Sequence, residues 1–599
     1  MFLANELHSA ARALRPSCAS RVLKGKVFIM FMIHSSRLAA LASLAGFVVA
    51  SACFQSCFLE SRAAAQLVPS DADVAEDGGW PRQIVVAPFT FTLYQPQVER
   101  FEGASIQGRV AVSVTREGNA AAEYGTITLE SSGVIIDKVA ELVTISNARI
   151  TKGEFPAGGD GENGAAYVRA LQSQFSIAPL QLSLGRLEAS LAVNKAIESG
   201  SREAVVNQVP RIMYSDQPAI LVQIDGAPVW RGFGAGGASR VMNSRALIVM
   251  SGQSGTMYLR AMGGWYKAPA IEGPWGYEPI PGSWLEALLI DAKDQPGIDM
   301  IEPAAALTEQ GTNARRLTAA EVGLFVSTSP AELIQTDGRP NFLPVQGTQL
   351  LYCSNTESQL FVNIAEQRTY LLVSGRWFRT VSLETGPWEY VDQSKLSPEF
   401  ARIPEQHPSG GALTSVPGTS QAAEAAIANS IPQTAEISRT GPAFDVAYDG
   451  SPAFERVEGT TGPTLMAATN CAAPVFQVTI AANVAPAYYA VDNAVWFQAN
   501  SASGPWLVCD AVPTVIYTIP MRHRLHYVTY VRCYRATHDS VVFGYTPGYY
   551  GTVLSSSGCV VYGTGVNWHG YSGSFWVPPP MTYGWGASFS VGYRTGFAF

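Results

Sequence analysis

Six tryptophans stand at matched places in three stretches of this chain: Trp265 and Trp275, Trp377 and Trp388, Trp496 and Trp506. An indole offers an apolar face on which the C–H face of a sugar ring can stack, and an N–H that can donate to a hydroxyl. Each first Trp is followed by a second aromatic residue, Tyr266, Phe378 or Phe497. Neighbours on a strand point to opposite sheet faces, so one aromatic of each pair is expected in a core and the other on a wetter face, open to ligand. Such platforms in series raise avidity for a polymer. The competing reading makes each Trp a core plug of a small β unit, and recurrence at one place in every copy fits that reading better.

The copies are defined by spacing. Asp225-Gly226-Ala227-Pro228-Val229-Trp230, Asp337-Gly338-Arg339-Pro340-Asn341-Phe342 and Asp449-Gly450-Ser451-Pro452-Ala453-Phe454 open them at a constant interval of 112 residues. Asn243 and Asn355 follow their Asp by 18 residues and Asn470 by 21. The closing half runs Trp265-Tyr266-Lys267-Ala268 to Gly273-Pro274-Trp275, Trp377-Phe378-Arg379-Thr380 to Gly386-Pro387-Trp388, and Trp496-Phe497-Gln498-Ala499 to Gly504-Pro505-Trp506. Tyr258, Tyr370 and Tyr489 each precede the first Trp by seven positions, and the third copy carries a seven-residue insertion. Asp-Gly is a tight-turn signal, because Gly accepts φ > 0 and Asp bonds its own backbone. Asp225, Asp337 and Asp449 therefore read as turn residues; an acid/base pair has to come from one site, and these recur in separate copies. The runs 246–250, 369–373 and 486–491 are strand-sized, so each core reads as three or four strands.

The remaining candidates for chemistry are weaker. Gly232-x-Gly234-x-x-Gly237 matches a dinucleotide fingerprint by letter, but it falls where the other copies have Gly347-Thr348 and Gly459-Thr460, a turn between strands rather than a strand-to-helix junction. His523, His526 and His538 flank a predicted strand on which 523 and 526 face opposite sides, opposing shared metal ligation. No Ser–His–Asp or nucleophile-elbow pattern occurs. The expectation is a non-catalytic protein with no catalytic residue, metal or cofactor; a hydrolase with dispersed carboxylates is the remaining enzymatic alternative.

Around the repeats, Arg37 precedes an apolar stretch from Leu38 to Phe54, and Ala63-Ala64-Ala65 follow, the order of a secretory signal peptide. Ala50-Ser51-Ala52-Cys53 loosely matches a lipoprotein box, so anchoring through Cys53 is an alternative. After residue 65 five cysteines remain, none in CxxC spacing, and their pairing is open. The organisation expected is a leader over 1–65, an N-terminal β-rich domain over 80–200, and repeats over 201–290, 316–405 and 438–520. A helical linker at 406–437 and a Tyr/Gly-rich segment at 521–599 complete it. Gly164–Phe175 and Gln421–Asn429 read as helices, 157–164 as a flexible loop, and Tyr527–Tyr534 and Ser540–Tyr545 as strands. Phe589, Val591, Tyr593, Thr595, Phe597 and Phe599 alternate like a barrel strand, but the chain lacks the series of ~10-residue alternating strands a barrel requires. The fold class is mainly β with short helices, the repeats separate or closed radially like propeller blades. Only 15 % of residues are charged, and 40 Lys and Arg against 48 Asp and Glu leave no basic footprint for nucleic acid.

The Trp-aromatic-x-Ala-x4-Gly-Pro-Trp pattern with its preceding Tyr resembles bacterial exported proteins of carbohydrate-binding family V/XII. The second copy departs from it with Thr380 for Ala and one extra residue before Gly386. Tyr94-Gln95-Pro96-Gln97-Val98, Arg186-Leu187-Glu188-Ala189-Ser190-Leu191, Ile431-Pro432-Gln433-Thr434-Ala435 and Gly544–Gly551 are similar to that family's sequences as well, and the likeness covers most of 80–585. The resemblance implies a periplasmic, envelope-bound or extracellular protein that binds polysaccharide or envelope glycan through the nine aromatics above. The alternative is a structural or assembly component that meets envelope proteins, with the oligomeric state open.

Overall fold

The computed structural model describes residues 80–567 except 157–161, 176–178, 197–204, 235, 294, 296, 303–316 and 482, together with 571–572, 575–576, 591–592 and 597–598. The leader and most of the alternating C-terminal stretch lie outside the described residues. The chain divides into two compact units. Pro404–Gly411 is the described part of one, and all elements below belong to the other. The protein is mainly β with short helices, in multiple sheets, and no closed barrel forms among the described residues. Among the described residues no helix is long and apolar enough to cross a membrane.

The N-terminal domain contains β1 (Arg82–Val86), β2 (Phe89–Leu93), β3 (Gln97–Glu102), β4 (Ser105–Arg116), β5 (Asn119–Ser131), β6 (Gly133–Asp137), β7 (Leu142–Ser146) and β8 (Arg149–Glu154). Helix α1 (Glu162–Phe175), β9 (Leu180–Ser183) and α2 (Leu184–Ala196) follow. One sheet runs β1-β2-β4-β5-β8 with β3 beside β4, and a second runs β6-β7-β9. The alternating residues of β2 and β4, Phe91, Val110, Val112 and Val114, face inward and meet Tyr167, Leu171 and Phe175 of α1. Helix α1 begins two residues earlier than its sequence pattern indicates.

Each repeat is a meander in which successive strands pair in order. Repeat 1 holds β12 (Trp230–Gly232), β13 (Ser239–Val241), β14 (Ile248–Met250), β15 (Met257–Ala261), β16 (Gly264–Ala268) and β17 (Gly276–Glu278), after lead strands β10 (Arg211–Ser215) and β11 (Ala219–Gln223). Helix α3 (Ser283–Lys293) follows it. Repeat 2 holds β20 (Phe342–Pro344), β21 (Leu350–Cys353), β22 (Gln359–Asn363), β23 (Arg368–Val373), β24 (Arg376–Thr380) and β25 (Glu389–Val391), after lead strands β18 (Gly323–Ser327) and β19 (Ala331–Gln335). Helix α4 (Ser420–Ala428) and β26 (Gln433–Ser438) lead to repeat 3, which holds β27 (Phe454–Arg456), β28 (Thr464–Ala468), β29 (Val475–Thr479), β30 (Ala487–Asp492), β31 (Val495–Ala499) and β32 (Leu507–Val508). Six strands replace the three or four expected. The outermost ones are two or three residues long, too short for alternation to be legible.

The lead strands cross over between copies. Strand β10 pairs in parallel with β19, and β11 with β18. Arg211 and Gly323 are equivalent at the 112-residue interval, as are Ala219 and Ala331, so each repeat's first lead strand pairs with the other's second. In the third copy β26 instead joins β34 (Ser540–Tyr545), which also pairs with β33 (Val531–Ala536). Residues 527–530, expected to open the strand 527–534, belong instead to a 3-10 turn, His526–Tyr530. A later hairpin, β35 (Thr552–Leu554) with β36 (Val560–Tyr562), returns to repeat 2. There Arg376, 1 % exposed, donates to Asn207 Oδ1 at 3.0 Å, Tyr562 O at 2.6 Å and Gly563 O at 2.7 Å. Gly375 beside it has φ +79°, and a Cβ there would strike the Val560 carbonyl, so this turn requires glycine.

The repeated Asn explains the repeated turn. Asn243 Nδ2 donates to Asp225 O at 2.7 Å and Ala227 O at 2.8 Å, while its Oδ1 accepts from Val229 N at 2.8 Å. Asn355 and Asn470 make the same three bonds to 337–341 and 449–453. Replacing Asn243, 1 % exposed, by Ala leaves one buried donor and two acceptors unmet. Asn243→Ala is therefore expected to lower stability in urea unfolding by about 2–3 kcal/mol, with little change in the denaturant slope.

Candidate functional site

The first aromatic pair of each repeat is buried on both sides of its sheet. Trp265, Trp377 and Trp496 are 1 %, 0 % and 0 % exposed, and Tyr266, Phe378 and Phe497 are 2 %, 0 % and 2 %. Each pair sits in adjacent positions of the fifth strand, so its members do point to opposite faces, but neither face is wet. The expectation that Tyr266, Phe378 and Phe497 present an open ring is thereby corrected: each sheet has a cover on both sides.

One cover holds the first Trp. In repeat 2 Trp377 packs with Phe400, Ile403, Leu413 and Val416, its ring centre 4.7 Å from that of Phe400, and its Nε1 donates to Ser415 O at 2.8 Å. In repeat 3 Trp496 packs with Val515, Ile516, Leu525 and Val528, and Nε1 donates to Val531 O at 3.0 Å. Both covers are built from 3-10 turns, Pro398–Arg402 with residues 412–415 and Thr514–Thr518 with His526–Tyr530. In repeat 1 helix α3 takes this place through Leu285, Leu288 and Leu289, and the Trp265 Nε1 has no hydrogen-bond partner.

The opposite cover holds the second aromatic. Tyr266 lies against Ile220, Val222 and Ile224 of the β11 segment and Leu324 and Val326 of β18, its hydroxyl donating to Val322 O at 3.0 Å. Phe378 lies against Ile334 of β19 and Ile212 and Tyr214 of β10. In repeat 3 Phe444 stacks on Phe497 at 4.6 Å. The second Trp of each copy belongs to this side. Trp275, Trp388 and Trp506 are half-buried, each after a cis Gly-Pro bond. Trp275 Nε1 donates to Ile271 O at 2.9 Å, whereas that of Trp506 is buried without a partner. Of the nine sequence-predicted residues, these three alone keep part of a ring toward solvent.

Other candidates are absorbed by local structure. The main chain of Asp225, Asp337 and Asp449 is held by the Asn clasp. Gly234 and Gly237, both at positive φ, lie in the turn between β12 and β13, as the sequence reading has it. His523 Nδ1 accepts from Leu525 N at 3.2 Å and His526 Nδ1 lies 2.7 Å from Ile519 O. Burial pushes His523 down to about 4, so it stays neutral. No group of three potential metal ligands forms among the described residues. Cys353, Cys471, Cys509, Cys533 and Cys559 are free thiols, four of them buried.

One buried carboxyl was not singled out by sequence reasoning. Glu332 on β19 is 9 % exposed, and burial raises its carboxyl to about 8. The 112-residue interval aligns it with Ile220 and Phe444, apolar members of the covers, and that mismatch was the available signal. No protein-family model matches the chain, and searches of curated proteins and of solved structures return no match.

Two outcomes follow. Trp377→Ala is expected to cost about 3–5 kcal/mol as a large buried truncation, and Trp388→Ala, at a half-buried site, under half of that, both read by urea unfolding. For Glu332 the folded state keeps its proton to about pH 8, while the unfolded carboxyl loses it near 4.3. The wild type therefore loses stability as pH rises from about 4.3 toward 8. Glu332→Gln removes that loss, and a gain of about 3 kcal/mol over wild type at pH 7, vanishing near pH 4, is expected from the same titration.

Proposed function

We propose that this chain is a non-catalytic structural or assembly protein of the bacterial cell envelope, whose repeats are building units that present their outer surface to other proteins. The observation that carries the reading is the closure of both sheet faces. Six of nine repeat aromatics are at most 2 % exposed, so they serve packing and leave no row of rings for a polymer. The signal-peptide pattern before residue 66 supports export. Apolar side chains stand outside on every copy: Ile280 at 83 %, Val381 at 67 % and Ile480 at 74 %.

A second reading, glycan binding, rests on Trp275, Trp388 and Trp506, which keep partial exposure at equivalent places. The two readings separate in one experiment. A photo-crosslinking residue is placed at Ile280, Val381 or Ile480 in cells of the source bacterium, and the purified chain is passed over chitin, cellulose and peptidoglycan. Position-specific adducts with one envelope protein, without glycan retention, are the expected result. Retention on one glycan that disappears in a folded Trp275→Ala, Trp388→Ala, Trp506→Ala variant would overturn the assembly reading in favour of the family's name.

A further inference from the structure

Where the N-terminal domain packs on the C-terminal sheet, α2 lies across Thr514–Thr518 and β33. Two arginines come together in that seam. Arg186, the third residue of α2, is 4 % exposed, and its Nε and Nη1 are buried with no hydrogen-bond partner. Its guanidinium carbon lies 5.1 Å from the ring centre of Tyr534. Arg532, on β33, stands 5.2 Å from the ring centre of Tyr517, and its Nη1 is likewise without a partner. The Tyr534 hydroxyl is a third buried, unmatched polar group. Tyr517 and Tyr534 are 6 % and 5 % exposed, while Arg532 is half-buried and reaches solvent.

Two guanidiniums brought together with no counter-charge, Arg186 buried and Arg532 half-buried, form an arrangement that folded proteins avoid, because a desolvated charge needs a partner. Here burial, followed by the like charge of Arg186, pulls Arg532 down to about 10. Among the described residues no carboxylate is within ion-pair distance of either arginine. Two acids of the region are already engaged: Asp510 with Arg439 at 2.8 Å and Glu436 with Arg535 at 3.9 Å. The aromatic rings beside each guanidinium supply cation–π support, but they do not satisfy the N–H donors.

We propose that Arg186, Arg532 and Tyr534 form a site for a small tetrahedral oxyanion, inorganic phosphate or sulfate. The anion joins the N-terminal domain to the C-terminal sheet. Guanidinium forks match the oxygen spacing of such ions and donate charge-assisted hydrogen bonds to them, and the Tyr534 hydroxyl adds a neutral donor. Burial of Arg186, Tyr517 and Tyr534 favours a free ion over a phosphate carried on a lipid or a glycan.

The test uses the purified full chain, unfolded and refolded in chloride to release any retained ion, which is assayed in the released fraction. Calorimetric titration with sodium phosphate, sodium sulfate and sodium chloride at matched ionic strength then separates the two oxyanions from general screening. Saturable binding of one phosphate or sulfate per chain, with a rise in Tm that chloride does not give, is expected. Arg186→Met should weaken it at least tenfold while leaving Tm in chloride at or above that of the wild type, since a buried unpaired charge has gone. If Arg186→Met does not fold, Tyr534→Phe takes its place, with a several-fold loss expected. The proposal is overturned if neither oxyanion binds saturably to the wild type, or if the folded variant binds it as tightly as the wild type.

Discussion

Each repeat sheet carries a large aromatic side chain on both of its faces at the fifth strand, and a sheet of strands two to six residues long cannot leave either face in water. Two separate covers are therefore needed, and most of the surrounding architecture follows from supplying them. On the side of the first Trp the cover comes from the chain that continues past the sheet, as 3-10 turns in repeats 2 and 3 and as α3 in repeat 1. On the other side it comes from the lead strands, which precede the sheets except that β18, following the sheet of repeat 1, helps to cover it. That division makes one copy longer than its sheet and accounts for the 112-residue interval.

Repeats 1 and 2 meet the second requirement together. Strands β10·β19 cover one sheet and β11·β18 the other, and the outer sides of the two pairs pack on each other through Leu221 and Leu333. Neither repeat owns its cover, so their folding is coupled through backbone hydrogen bonds as well as apolar burial. Repeat 3 departs from this exchange. Its first lead strand is taken by β34, and the segment around Phe444 covers Phe497 without a ladder partner of its own. Arg376 fastens the β35–β36 hairpin to repeat 2 by donating to carbonyl and amide oxygens. The Arg186–Arg532 seam has the charges without the acceptors, and that contrast within one molecule makes it a candidate site.

Much of the local structure was legible in the residues. The Asp-Gly turns, the strand-sized runs, α1, and α4 with Thr419 as its cap could all be read, because each depends on residues close in sequence. In α4 the Thr419 hydroxyl accepts from Ala422 N at 3.1 Å. The repeated Asn was visible as a spacing but not as a clasp, since its bonds reach back 14 to 18 residues in the first two copies. The six-strand count was hidden by outer strands too short to alternate. The strand expected from Tyr527 failed at its first four residues because Val528 and Thr529 turn inward as part of a cover rather than alternating in a sheet.

By itself the sequence determined the repeat, its interval, its turns and the β class, all set by neighbour-to-neighbour geometry and by residue type at fixed spacing. The tertiary structure alone decided which aromatic faces are closed. Alternation states only that Trp265 and Tyr266 point apart; whether water lies on either side depends on chain from positions 219–224, 285–292 and 322–326. For the same reason the parallel exchange of lead strands and the meeting of Arg186 with Arg532, 346 positions apart in the chain, were beyond any local pattern. Burial and charge pairing are properties of what packs against a residue, and those partners come from distant segments.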